Sequence, residues 1–220
     1  MRVLITAGGT FEPIDDVRGI TNRSTGRLGA ALANAFINAG TRVDLIASEA
    51  LAARADWLDE RVHITPFLSY RDLEGALQVA CENPPDLLLM AAAVADYSPV
   101  AFEGKLPSTA ASQTLTLQRN PKLLSTLAQR CQGKTKIVGF KLTSNASIAQ
   151  RIATAERQIE ANTLFACVAN DMGDMAHNQH PVTLVSASGQ TLRIEGTKVE
   201  TAEQIVTHLL HMATSSPVPF

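Results

Sequence analysis

Residues Val3–Gly40, VLITAGGTFEPIDDVRGITNRSTGRLGAALANAFINAG, decide how the rest of the chain is read. The stretch opens as a buried strand, passes through glycines and ends in a helix. Its glycines fall in two groups, Gly8-Gly9 and Gly26…Gly29, separated by about sixteen polar or irregular residues, where a nucleotide-binding turn needs only a handful. Gly8-Gly9-Thr10 lets backbone N–H groups approach an anion. Ser24-Thr25-Gly26 leads into a helix whose N-terminus carries partial positive charge. Together they predict a phosphate cradle on an unusually long loop. Of the acids on that loop, Glu12, Asp15 and Asp16, each is expected to bind metal, pair with Arg18 or face solvent, since a carboxylate pointing inward would repel a phosphate.

Working outward, apolar runs alternate with helical patterns. Strands are predicted over 2–6, 42–47, 62–65, 86–95, 114–118, 136–140 and 164–169, and a hairpin over 182–186 and 190–194 around Ser188-Gly189. Helices are predicted over 27–39, stopped by Gly40, over 70–81 capped by Ser69, and over 146–161. Another should follow Asn120-Pro121, with Asn as cap, and a last one should start at Thr197 with Glu200 completing a capping box. This order predicts an α/β fold: a Rossmann-like, doubly wound, mainly parallel sheet with a hairpin and flap elaboration. Residues 1–214 are expected to form one domain and 215–220 a disordered tail. Ligands of such sheets sit beyond the carboxyl ends of the strands, so the loops after Thr6, Ala95 and Phe140 should converge.

Composition narrows the classes. The 220 residues are 45% apolar and 18% charged, with a formal net charge of −2. No global positive field is available for nucleic acid or an anionic membrane. No signal-peptide pattern opens the chain, and the longest apolar run, 87–95, is too short to span a bilayer, so a cytoplasmic location is expected. Cys81, Cys131 and Cys167 have no metal-like spacing and read as reduced, buried thiols.

Several motifs are missing. There is no G-x-G-x-x-G after the first strand and no G-x-S-x-G elbow. Gly133-Lys134-Thr135 mimics the end of a P-loop but follows a helix and reads as a turn. Tyr70 and Tyr97 are followed at the Tyr-x-x-x-Lys spacing by Glu74 and Ala101, which argues against a short-chain oxidoreductase. The pairs His177/His180 and His208/His211 lack a third ligand. What remains is a small-residue strand end, Ala91-Ala92-Ala93, with Asp96 placed to accept a hydrogen bond, and Lys105 in an irregular loop where it can reach over a triphosphate.

ITAGGTFEPIDDVRGITNRSTGRLG, followed in order by AAAVADYSPV, GKLPS, NPKLL, VGFK and VAND, resembles the phosphopantothenoylcysteine synthetase family over nearly the whole chain. That resemblance implies joining of 4′-phosphopantothenate to L-cysteine through an acyl-nucleotidylate, with CTP, or ATP as the alternative, as co-substrate with Mg²⁺. It implies that Asn22 acts on the acyl-nucleotidylate and that Arg18 partners a phosphate or carboxylate. Gly8, Gly9, Thr10, Ser24 and Gly26 become the phosphate cradle. Ala91, Ala92, Ala93, Asp96, Pro121, Lys122, Leu123, Leu124 and Phe140 become nucleotide contacts, and Lys105 the lysine of a closing flap. A homodimer is implied, and a separate phosphopantothenoylcysteine decarboxylase, with no flavin in this chain. The metal ligands are left open. The flap lacks the second and third lysines of many bacterial members, and Arg157 and Glu160 stand near positions where some members carry nucleotide-touching lysines. An NAD(P)-dependent oxidoreductase and a non-catalytic nucleotide-binding relative are the alternatives, separable by pyrophosphate release.

Overall fold

A computed structural model of the chain describes residues 1–109, 111–131, 133–175 and 178–215. His177 and residues 216–220 therefore lie outside the described residues. In chain order the elements are β1 (Arg2–Ala7), β2 (Phe11–Pro13), β3 (Gly19–Thr21), α1 (Arg27–Asn38), β4 (Arg42–Ser48), α2 (Glu49–Ala52), β5 (His63–Phe67), α3 (Tyr70–Glu82), β6 (Leu87–Met90), β7 (Tyr97–Pro99), β8 (Leu117–Arg119), α4 (Leu123–Arg130), β9 (Lys136–Thr143), α5 (Ile148–Asn162), β10 (Ala166–Asp171), β11 (Val182–Ser186), β12 (Thr191–Ile194) and α6 (Lys198–Ser215). Helix α6 includes Ser215, one residue into the segment expected to be tail.

The main sheet has the order β12-β11-β10-β9-β6-β1-β4-β5, parallel from β10 through β5, with β11 and β12 added antiparallel as a hairpin. The strands are legible because side chains alternate between two cores. Val3, Ile5 and Ala7 of β1 face one core with α1 and α6; Leu4 faces the other with α3, α4 and α5. The result is three layers, with helices covering both faces as a parallel sheet requires. Pro66 sits in β5, an edge strand, where a missing N–H leaves no ladder bond unmade. Successive connections leave β1 toward β4 on one side and later toward β6 on the other, so the switch in strand order lies at β1/β6.

The helix caps follow expectation. The Ser69 hydroxyl accepts from the Asp72 amide and the Asp72 carboxylate accepts from the Ser69 amide. Thr197 and Glu200 form the reciprocal pair that opens α6. Gly40, at φ +78°, ends α1 with its N–H on the Ile37 carbonyl.

Three expectations need correction. The apolar run 86–95 is a strand only to Met90, because the amides of Ala91, Ala92, Ala93 and Ala95 turn to acceptors on the β1 side of the switch. Asn120 does not cap α4, which starts at Leu123 with no side-chain cap; its amide donates instead to the Ala95 carbonyl (2.9 Å) and Ser98 hydroxyl (2.8 Å). The long loop is not wholly irregular, since β2 and β3 form a two-stranded antiparallel ladder within it.

Candidate active site at the sheet switch point

The loops leaving β1 and β6 are sewn together at the switch. Gly9 and Ala93 form a parallel bridge, the Ala93 N–H donates to the Gly8 carbonyl (2.8 Å) and the Thr10 N–H to the Ala93 carbonyl (3.2 Å). Two buried hydroxyls extend the seam: Thr6 accepts from the Ala92 amide (3.2 Å) and Thr10 from the Ala95 amide (3.0 Å). The third loop does not join them. Phe140 lies inside β9, which runs on to Thr143, and the turn beyond is tied to β10 through Asp171. The Thr143 hydroxyl, then the Ala146, Gly173 and Asn145 amides, hold that carboxyl well below the usual carboxylate range, against the effect of burial.

Glycine is required where the backbones meet. Gly8 has φ +94°, and a Cβ there would stand 2.0 Å from the Ser48 hydroxyl oxygen. Gly26, at φ +74°, is the residue before α1, and no side chain caps that helix. The open first turn of α1, the Ser24 hydroxyl 3.4 Å from the Gly26 amide, and the Gly8-Gly9 backbone together have the chemistry of an anion cradle. Asn22 stands at its lip, its Nδ2 donating to the Ala93 carbonyl at 2.8 Å.

Asp15 organises the outer wall. One carboxylate oxygen accepts from the Val17 and Arg18 amides (2.9 and 2.7 Å). The other accepts from the Arg18 guanidinium (3.0 and 2.5 Å) and from the Leu106 amide (3.0 Å). Arg18 also donates to the Leu106 carbonyl (2.9 Å), so the segment carrying Lys105 hangs from the first loop on both its amide and its carbonyl. Arg18 is therefore paired with Asp15 and the Leu106 carbonyl, while its side chain stays half exposed. Glu12 is buried and takes the Tyr70 amide (2.9 Å) and the Ser98 hydroxyl (2.6 Å); Asp16 faces solvent. Lys105 is exposed and makes no ion pair or hydrogen bond among the described residues.

The Arg18 guanidinium, with the Leu106, Val17 and Arg18 amides, holds the Asp15 carboxyl well below the ordinary carboxylate value, while burial acts the other way. A depressed folded-state pKa contributes stability above the unfolded value, and that stability is lost as pH falls through the folded one. Protection of the Leu106 amide from hydrogen exchange should therefore persist through the ordinary carboxylate range and fail only in stronger acid. In Asp15→Asn it should be low at every acid pH. Exchange in that variant matching the wild type would show that the carboxylate does not hold the flap.

The remaining expected residues divide. Asp96 does not cap a turn with its side chain; it forms an ion pair with Lys122. Ala91, Ala92 and Ala93 are half-buried, leaving backbone accessible at the strand end, and Phe140 packs partly against the α1/α6 core. The Leu123 side chain is buried between α3 and α4, so only its backbone can meet a ligand; Pro121 and Leu124 flank it. Among the described residues no group of three His, Cys, Asp or Glu side chains is placed to hold a metal ion. Ser48 escapes the sequence reading, Asn120 reads there as a cap, and Asp15 takes the Arg18 pairing that is one of its expected roles. For Asp15 a partial signal existed, an Asx turn onto residues two and three ahead, but its flap contact lies 91 residues away.

Residues 1–212 match the family described as DNA/pantothenate metabolism flavoprotein C-terminal domain. The chain belongs to this family. A relative from Methanocaldococcus jannaschii, the coenzyme A biosynthesis bifunctional protein CoaBC, is 32% identical over 93% of this chain and 49% of its own length. The protein of the same name from Bacillus subtilis is 35% identical over 77% of this chain and 40% of its own. The chain thus spans about half or less of these relatives. The crystal structure of the DNA/pantothenate metabolism flavoprotein from Streptococcus pneumoniae superposes with a TM-score of 0.84 at 26% identity, covering 96% of this chain and 99% of that one. The main sheet has the Rossmann-like α/β architecture that the sequence predicts, and no helix among the described residues is long and apolar enough to cross a membrane.

Proposed function

We propose that this chain is a phosphopantothenate–cysteine ligase of coenzyme A biosynthesis. The observation that carries the reading is the seam at β1/β6: an anion cradle and the Asn22 amide meet at the Ala93 carbonyl, under a flap held by Asp15. Relatives named for coenzyme A biosynthesis support it. A carboxylate oxygen of 4′-phosphopantothenate attacks the α-phosphorus of the nucleotide and pyrophosphate leaves. The L-cysteine amine then attacks the acyl carbon, loses a proton and displaces the nucleotide monophosphate. Both steps depend on holding two anionic substrates in line, which a long loop can do where a short turn holds one. Asn22 donates toward charge developing on the carbonyl oxygen, Lys105 closes over the triphosphate, and Arg18 acts by keeping that flap in place.

CTP is the nucleotide we favour, with ATP the alternative. Asp15 and Asp96 are paired with Arg18 and Lys122, and in this reading Mg²⁺ enters as the companion of the triphosphate. A homodimer belongs to the same reading, because β7, β8 and their flanks expose Tyr97, Val100, Phe102, Leu115 and Leu117 together. In the same reading the product passes on to a flavin-dependent decarboxylase.

Pyrophosphate release with phosphopantothenate, cysteine and CTP or ATP tests the proposal. Release that needs both the acid and a nucleotide, with amide formed, is expected. Lys105→Gln should raise the KM for the nucleotide about tenfold, the value of one charge-assisted contact at an exposed site. No release with either nucleotide would refute the ligase reading.

A further inference from the structure

Cys81, Cys131 and Cys167 are buried and free. Two of them meet. Cys81, in the last turn of α3, places its Sγ 3.1 Å from the Sγ of Cys131, the residue that follows α4. Cys131 is fully buried, whereas Cys81 is 8% exposed. Cys167 stands apart in β10 and donates to the Gln158 side-chain oxygen at 3.1 Å.

The surroundings hold the pair in place. Helices α3 and α4 pack against each other, with Leu73, Leu77 and Leu127 in the same core as the two thiols. The turns that leave the two helices are tied together as well. The Thr135 hydroxyl donates to the Pro85 carbonyl (2.7 Å), and the Lys136 amide to the Asp86 carbonyl (3.0 Å). Pro84-Pro85 stiffens the first turn, because each ring fixes its own φ. In the second, the Lys134 amide donates back to the Cys131 carbonyl (2.9 Å). These turns lead into β6 and β9, so the pair lies at the amino edge of the sheet, at the opposite end from the seam of Gly9 and Ala93.

Buried cysteines often serve only as small apolar side chains. Here each sulfur is the hydrogen-bonding partner of the other, and only about 1 Å must close to reach the length of a disulfide bond. Burial first, and then the hydrogen bond and charge of Cys131, pushes the Cys81 thiol up to about 12, so the pair rests as two thiols at neutral pH. Burial also excludes bulky disulfide oxidants. A small oxidant meets Cys81 first, since its partner is covered completely.

We propose that Cys81 and Cys131 are an oxidisable pair that a hydroperoxide converts to an intrachain disulfide. The Cys81 sulfur attacks the terminal peroxide oxygen, the O–O bond breaks, and the thiol proton leaves with the other oxygen as water or an alcohol. Cys81 is then a sulfenic acid. The Cys131 sulfur attacks the Cys81 sulfur, the S–O bond breaks, and the hydroxyl leaves as water with the Cys131 proton. The two sulfurs give up two electrons, which the peroxide takes. The new bond closes residues 81–131 into one ring that includes Ala91–Ala93, Asp96, Lys105 and Lys122. It restricts the unfolded chain across that whole span while leaving the carboxyl edge untouched. The pair stands whether or not the chain is a ligase.

Treatment of the full chain with hydrogen peroxide, followed by alkylation in denaturant and peptide mapping, tests this. Free thiols should fall from three per chain to one, Cys167, with Cys81 and Cys131 recovered in one cross-linked peptide. The melting temperature should rise by about 5–10 °C, the shift of a disulfide in a chain of this size, and fall back with dithiothreitol. Cys131→Ala should stop at the sulfenic acid, captured on Cys81 by dimedone, with no rise. Cys167→Ala should cross-link as the wild type does. Wild-type protein that keeps all three thiols free would overturn the pair. So would Cys81 carried on to sulfinic acid without a cross-link, or a bond from Cys81 to a second chain. A cross-linked chain that melts no higher than the reduced one would overturn its stabilising role.

Discussion

Asn22→Asp should slow amide formation by about a hundredfold to a thousandfold, the usual cost of losing one donor to a developing oxyanion, while the activated acid still forms. The Asn22 Nδ2 is held at the lip of the cradle by its bond to the Ala93 carbonyl. Aspartate has nearly the same shape but offers no donor. It would set a carboxylate against that carbonyl and against the charge building on the acyl oxygen, so both the position of the side chain and its stabilising role are lost together. The first step, attack on the α-phosphorus, does not depend on that donor. Rapid quenching with radiolabelled phosphopantothenate should therefore show an acyl-nucleotidylate accumulating in the variant, with pyrophosphate released and little amide. Amide formed at the wild-type rate would remove Asn22 from the chemistry. Loss of pyrophosphate release as well would assign it to nucleotide binding instead.

Gly8→Ala is expected to be the most damaging single methyl in the site. The residue sits at φ +94°, a conformation that costs an L side chain about 1–2 kcal/mol. The new Cβ would stand 2.0 Å from the Ser48 Oγ and 2.6 Å from its Cβ, and forced overpacking typically adds 1–3 kcal/mol. A total of about 2–5 kcal/mol should appear in a denaturant titration, with nucleotide binding lost because the Gly8 carbonyl anchors the Ala93 amide. The two causes can be separated. Ser48→Gly removes the clashing atoms and by itself should cost only a few tenths of a kcal/mol as a cap change on the short α2. The double variant should recover the steric part and keep the conformational part. A Gly8→Ala protein within about 0.5 kcal/mol of wild type, the scatter of neutral surface changes, would show that the loop can move away from Ser48.

Much of this was legible along the chain. Helix α1 is written in small and apolar residues at helical spacing with Gly40 as its stop. Ser69 and Thr197 announce their helices because a cap needs only a hydroxyl and an acid three residues on. The hairpin of β11 and β12 follows from alternation on both sides of Ser188-Gly189, the latter at φ +81°. The run 86–95 misled because apolarity cannot distinguish a strand paired on both edges from a small-residue segment whose amides have turned to another loop. Asn120-Pro121 misled for a related reason: an asparagine beside a proline is a good cap in isolation, but the Ala95 carbonyl and Ser98 hydroxyl competed for its amide and won.

The amino-acid order by itself determined the strands of the main sheet and the long helices packed on them, the glycine positions at the β1 turn, and hence the expectation of a ligand site at the carboxyl edge. Each of these rests on interactions within a few residues or on a period the backbone imposes. Only the tertiary structure decided that Asp15 holds the Leu106 amide, that Arg18 holds its carbonyl and that Thr10 reaches Ala95. Those contacts join residues 85 to 91 positions apart. They exist because burying apolar surface on both faces of one sheet forces distant loops onto the same edge, and no local pattern encodes which of their polar groups then meet.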